Sequence, residues 1–103
     1  MTLRELLATA AADLGDAGTS TALDGEVSWS RAGEPFAVLR GDSGAAEFRL
    51  DAAVAAAAAR TPDTSPSPRG PGWVLFRPAS LDAHGSDRAA AWFVSAYRRI
   101  RRG

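Results

Sequence analysis

Cysteine, lysine, asparagine and glutamine are all missing from this chain of 103 residues, and histidine occurs once. Without cysteine there is no disulfide, no thiolate nucleophile and no cysteine-ligated metal. With one histidine, any Ser–His–Asp arrangement must use His84, and no Gly-x-Ser-x-Gly elbow supplies its nucleophile. Net charge is missing too: twelve basic residues, all arginine, balance twelve acidic ones. A neutral chain has no global attraction to polyphosphate, so a nucleic-acid role requires a local patch. No apolar run approaches the ~20 residues of a membrane helix. The start, with Arg4 and Glu5 ahead of a short apolar stretch, has no signal-peptide core. These features lead us to expect a cytoplasmic protein that does not engage membranes.

What is present fits one domain over 1–103, with 46 % hydrophobic and 23 % charged residues. Much of the apolar fraction is alanine, which buries little area, so Leu, Val, Phe and Trp must make the core. The abundance of Ala, Gly, Arg, Pro and Asp is what GC-rich codons favour.

Thr2-Leu3-Arg4-Glu5 reads as a capping box. Leu3, Leu6, Leu7, Ala10, Ala11 and Leu14 then recur at helical spacing, and Gly15 suits a left-handed stop, predicting a helix over Leu3–Leu14. Residues 16–24 read as a loop. Glu26–Ser30 alternates, placing Val27 and Trp29 toward a core and Ser28 and Ser30 away from it. A turn at 32–35, a strand at 36–40, a turn at 41–44 and a strand at 45–50 complete an antiparallel meander. Asp51 is placed to cap an alanine-rich helix over 52–60. Thr61–Gly72 holds all but two of the prolines and reads as an extended loop. Trp73–Arg77 is apolar on both faces and predicts an interior strand. Ser86 is placed to cap a last helix whose stripe is Ala89, Trp92, Phe93, Ala96, Tyr97 and Ile100. The predicted architecture is α+β: an antiparallel sheet of about four to five strands packed against N-terminal, central and C-terminal helices. Trp29, Phe36, Phe48, Trp73, Leu75, Trp92 and Phe93 are the predicted core.

Arg98, Arg99, Arg101 and Arg102 form the one dense charge cluster. With Arg69, on the proline-rich loop, they are the candidate contacts for an anion or nucleic acid. Cations in a last helical turn also simply suit the macrodipole. Asp82, His84 and Asp87 are close enough to suggest a metal site or an acid–base pair, the centre of a small hydrolase, although nothing around them is specific. Pro68-Arg69-Gly70-Pro71 matches the bare pattern of a polyproline ligand. Gly41–Gly44 lacks a following Lys and a following helix, so it is not a phosphate loop. No catalytic, cofactor or metal residue is assigned.

The stretch Trp29–Leu39, the strand Glu47-Phe-Arg-Leu50 running into a helix, Gly72-Trp73-Val74, and the ending Ala91-Trp92-Phe93-Val-Ser95-Ala-Tyr97-Arg98 occur in that order. Together they resemble the MmcQ/YjbR-like proteins, small bacterial domains of frataxin-like (CyaY-like) α+β fold, over about Val27–Arg99. The resemblance implies a non-enzymatic binding domain of unassigned partner. It also implies possible DNA binding, since members are often labelled DNA-binding for a proposed double-wing arrangement. It supplies no catalytic residues and no cofactor.

Overall fold

A computed structural model describes residues 1–42 and 44–100 of the chain. The capping box forms as the sequence requires: the Glu5 N–H donates to Thr2 Oγ1 at 3.1 Å and the Thr2 N–H donates to Glu5 Oε1 at 2.9 Å. Helix α1 (Leu3–Leu14) ends on Gly15 at φ +82°, a left-handed stop that glycine adopts without steric cost. Strands β1 (Gly18–Thr21), β2 (Val27–Arg31), β3 (Glu34–Leu39) and β4 (Ala46–Arg49) follow, then helix α2 (Ala52–Ala58). Strands β5 (Thr64–Pro66) and β6 (Trp73–Phe76) and helix α3 (Ala83–Arg99) complete the chain. The sheet is antiparallel throughout, in the order β1-β2-β3-β4-β6-β5.

The α+β class, the meander and the interior position of β6 are as expected, but the sheet has six strands rather than four to five. Both additions are edge strands in segments read as loops. β1 is a run of small and hydroxylic residues, exposed along its whole length, so it carries no hydrophobic alternation to read. Its hairpin is set by a tight turn: the Gly25 N–H donates to the Ala22 carbonyl, the Ala22 N–H donates to the Glu26 carbonyl, and Gly25 sits at φ +87°. β5 forms despite its proline because of register. Asp63 and Ser67 hold the ladder bonds to Arg77 and Trp73, which leaves the Pro66 nitrogen pointing to the free edge, where no donor is needed.

Two helix boundaries also differ. α3 starts at Ala83, capped by Asp82, whose carboxylate accepts the Gly85 N–H at 2.7 Å, rather than at Ser86. A Cβ at Gly85 would stand 3.2 Å from the capping Asp82 carboxylate oxygen, so the missing side chain leaves room for that cap. α2 stops at Ala58, and Asp51 is its N-cap without a side-chain capping bond.

The core lies on one face. Phe93 stands edge-on to Trp29 and Phe36, with centroids 5.4 and 5.1 Å away, while Trp92 meets Phe48 and Phe76. The buried apolar side chains of all three helices join this one cluster. Phe36 reaches it through a β-bulge: the β2–β3 register passes from Trp29↔Ala37 to Ser30↔Pro35, so Phe36 is the extra residue. Trp73 and Leu75, expected in the core, are only half-buried, because alternation along β6 sends them to the opposite face from Val74 and Phe76.

Two outcomes test this packing. Trp92→Ala is expected to lower unfolding free energy by ~3–5 kcal/mol in urea titrations, from lost burial and the cavity left behind. The β2–β3 turn holds Ala32 at φ +52° ahead of Gly33 at +79°. Ala32→Asn is expected to raise stability by about 0.5–1 kcal/mol, as Asn tolerates this conformation better in such turns. A lower melting temperature in Ala32→Asn would contradict that reading of the turn.

Candidate functional site

On the face away from the helices, register aligns Ser28, Val38, Glu47, Leu75 and Ser65 in one row across the sheet. Among the described residues no helix covers this row. Yet Glu47 in central strand β4 is fully buried. A carboxylate without water must be compensated, and the compensation comes from the β5–β6 hairpin loop and the end of β3.

The Ser67 hydroxyl donates to Glu47 Oε2, and Arg69 Nε donates to Oε1 at 2.8 Å. Arg40 Nε lies 2.8 Å from the same oxygen. Arg69 then stretches on across the sheet, its second guanidinium nitrogen 3.2 Å from Glu26 Oε1. Its guanidinium carbon stands 5.7 Å from the centre of the Trp73 ring, within cation–π range.

The loop is shaped for this reach. The Ser67 N–H donates to the Trp73 carbonyl, and the Arg69 N–H donates back to Ser67 Oγ at 3.1 Å. Gly72, at φ +83°, allows the loop to close on β4, because a Cβ there would lie 2.7 Å from the Leu50 carbonyl oxygen.

Burial pushes the Glu47 carboxyl toward protonation. The hydrogen bonds from Ser67 and Arg69 and the charges of Arg69 and Arg40 outweigh it, holding the group below the ordinary glutamate range. For Arg69 burial opposes the charge, and the hydrogen bond and charge of Glu47, with Glu26 behind, overcome that and raise its affinity for the proton. The cluster is therefore an ionic clasp across β4 and β6, with Glu47 charged at neutral pH.

Around the clasp the face is polar but not strongly positive. Arg77 pairs with Asp42 at 3.2 Å, and Arg49 pairs with Glu34 at 3.0 Å. Each guanidinium of the face remains partly open, with side-chain exposures of 35 % for Arg40, 33 % for Arg69 and 53 % for Arg77. Trp73 and Leu75 are the half-buried apolar members between them.

Three of the five sequence-predicted cationic residues lie among the described residues. Arg69 lies in the clasp, whereas Arg99 pairs with Glu34 at 3.2 Å and Arg98 is exposed at the end of α3. Arg101 and Arg102 lie outside the described residues. Asp82, His84 and Asp87 line a cleft of about 500 Å³ with Asp63 and Arg88. Asp82 is already committed to capping α3, and His84 is exposed. Among the described residues no group of three or more acids and histidines is arranged to hold a metal ion. None of the described helices is long and apolar enough to cross a membrane.

No family model matches the chain, and no curated protein matches it. A solved structure does: the crystal structure of a protein from Pseudomonas syringae aligns with a TM-score of 0.70 at 10 % identity, over 98 % of this chain and 100 % of that one. The two share a fold. At so low an identity the likeness extends to architecture alone.

Sequence reasoning missed Glu47, Arg40, Ser67 and the outward Trp73. The usable signal was Glu47 itself, an acid between Ala46 and Phe48 in a predicted strand, which demands a partner once that strand is interior.

Glu47→Gln is expected to cost about 1–3 kcal/mol at neutral pH, since Arg69 and Ser67 lose their charged acceptor and Arg40 its ion-pair partner. A carboxyl held low in the folded state stabilises fully above its unfolded value, and that stability is lost as pH falls through the folded one. The gap between parent and variant should therefore narrow in acid. Urea denaturation at neutral pH and near pH 3 measures it, and a gap that is unchanged or wider in acid would remove Glu47 as the charged centre.

Proposed function

We propose that this protein is a non-enzymatic, cytoplasmic binding domain of the MmcQ/YjbR-like type, engaging a protein partner through the helix-free face of its sheet. The observation that carries this is the composition of that face. A half-buried tryptophan and leucine stand among partly open, pre-oriented guanidiniums, and Trp and Arg are the residues that dominate binding energy at protein interfaces. Arg69 is held by Glu47, Glu26 and the Trp73 ring, so little side-chain entropy is left to lose on contact. The near balance of charge on the face favours a protein over a polyanion, since each arginine already faces a carboxylate.

The second reading is a weak DNA or other nucleic-acid binder using Arg69, Arg98, Arg99, Arg101 and Arg102. What favours it is Arg98, an exposed cation in the last turn of α3 beside further arginines in the sequence.

Two measurements separate these readings. In quantitative affinity capture, Ser28→Arg and Trp73→Ala should each reduce recovery of a specific partner protein at least tenfold. Asp13→Arg, on the exposed side of α1, should leave it unchanged. Equal recovery by all three variants would reject the sheet face as the binding surface. In fluorescence anisotropy with duplex and single-stranded DNA at about 50 and 200 mM salt, we expect no binding. Binding that weakens steeply with salt and vanishes when Arg98, Arg99, Arg101 and Arg102 are changed to Ser would establish the second reading instead.

A further inference from the structure

The two edges of the sheet are finished differently. At the β5 edge, Pro66 takes one outward-facing position, leaving no N–H to offer there. At the β1 edge no proline, charge or bulge intervenes. In β1 the bonded pairs with β2 follow Ala22↔Glu26 in alternation, so they are Ser20↔Ser28 and Gly18↔Ser30. The N–H and C=O groups of Thr19 and Thr21 therefore point outward, along an edge that is exposed at every residue.

That pattern is self-complementary. An antiparallel second β1 with Ser20 opposite Ser20 sets Thr19 against Thr21 and Thr21 against Thr19, and both are bonded pairs. The two-fold axis then stands perpendicular to the sheet, and the helices of both copies lie on the same side of it.

Beside the edge, on that side, a groove of about 510 Å³ runs between α1 and β1, lined by Arg4, Ala8, Ala12, Gly15, Thr19 and Thr21. The two-fold places the two copies of this groove side by side across the joined edges.

We propose that the protein self-associates as a two-fold dimer through β1, joining two six-stranded sheets into one continuous sheet. The occupant of this edge is a second copy of the chain. The contact is short, so the dimer is weak and reversible, forming at roughly micromolar to millimolar concentration.

The test is sedimentation velocity of the full chain across that concentration range. Thr19→Pro removes an outward N–H while sparing every β1–β2 bond. The expected result is a concentration-dependent dimer, weakened at least tenfold by Thr19→Pro. A chain that stays monomeric to about 1 mM, or a dimer unaffected by Thr19→Pro, would overturn the proposal. Should Thr19→Pro prevent folding, amide hydrogen exchange of the parent decides. Thr19 and Thr21 should exchange more slowly as concentration rises, and rates independent of concentration would reject this edge.

Discussion

The fold depends on one row of side chains. α3 presents Ala89, Trp92, Phe93, Ala96 and Tyr97 to the sheet, and the rings of β2, β3, β4 and β6 are arranged around Trp92 and Phe93. In a chain whose apolar content is largely alanine, Phe36, Phe48, Phe76 and Phe93 are the largest fully buried side chains. The far end of the helix is fixed as firmly. Arg31 of β2 donates to the Tyr97 and Ile100 carbonyls at 3.2 and 2.9 Å and stacks 4.0 Å from the centre of the Tyr97 ring. One guanidinium thus satisfies carbonyls that every helix leaves unpaired at its end, and ties α3 to the β2–β3 hairpin.

With every helix on the core side, the other face of the sheet must be stable against water on its own terms. The solution is small hydroxyls on β2, Val38 and Glu47 at the centre, and long arginines folded over them. Glu47 is not there for stability alone. A buried ion pair seldom stabilises more than an apolar pair of the same size would, whereas it defines which loop conformation fits. Ser67 and Arg69 meet that carboxylate in one arrangement of the β5–β6 loop, and this arrangement fixes the face on which Trp73 is displayed.

How much of this could be read beforehand divides along physical lines. α1 was legible to the residue because its capping box, apolar stripe and terminal glycine agree. The α3 stripe was legible because helical periodicity persists over several turns. β1 and β5 were not, since an exposed edge strand needs no hydrophobic alternation, and Pro66 is forbidden only where its nitrogen would face a neighbour. Trp73 and Leu75 misled by being apolar on the outward face. Arg69 was singled out from the loop's composition, but its partners lie 22 and 43 residues away in sequence, beyond any local pattern.

The strand order has a consequence for how the chain assembles. β1 to β4 are consecutive neighbours joined by short turns, and β5 and β6 form a hairpin of their own, so each half closes only small loops. The halves meet along the single seam of β4 and β6, which is the largest loop closure within the sheet and entropically its most expensive step. Glu47 stands on one side of that seam, Ser67 and Arg69 on the other. The clasp is therefore complete only where that seam is closed, so the contact that shapes the outer face also joins the sheet's two halves.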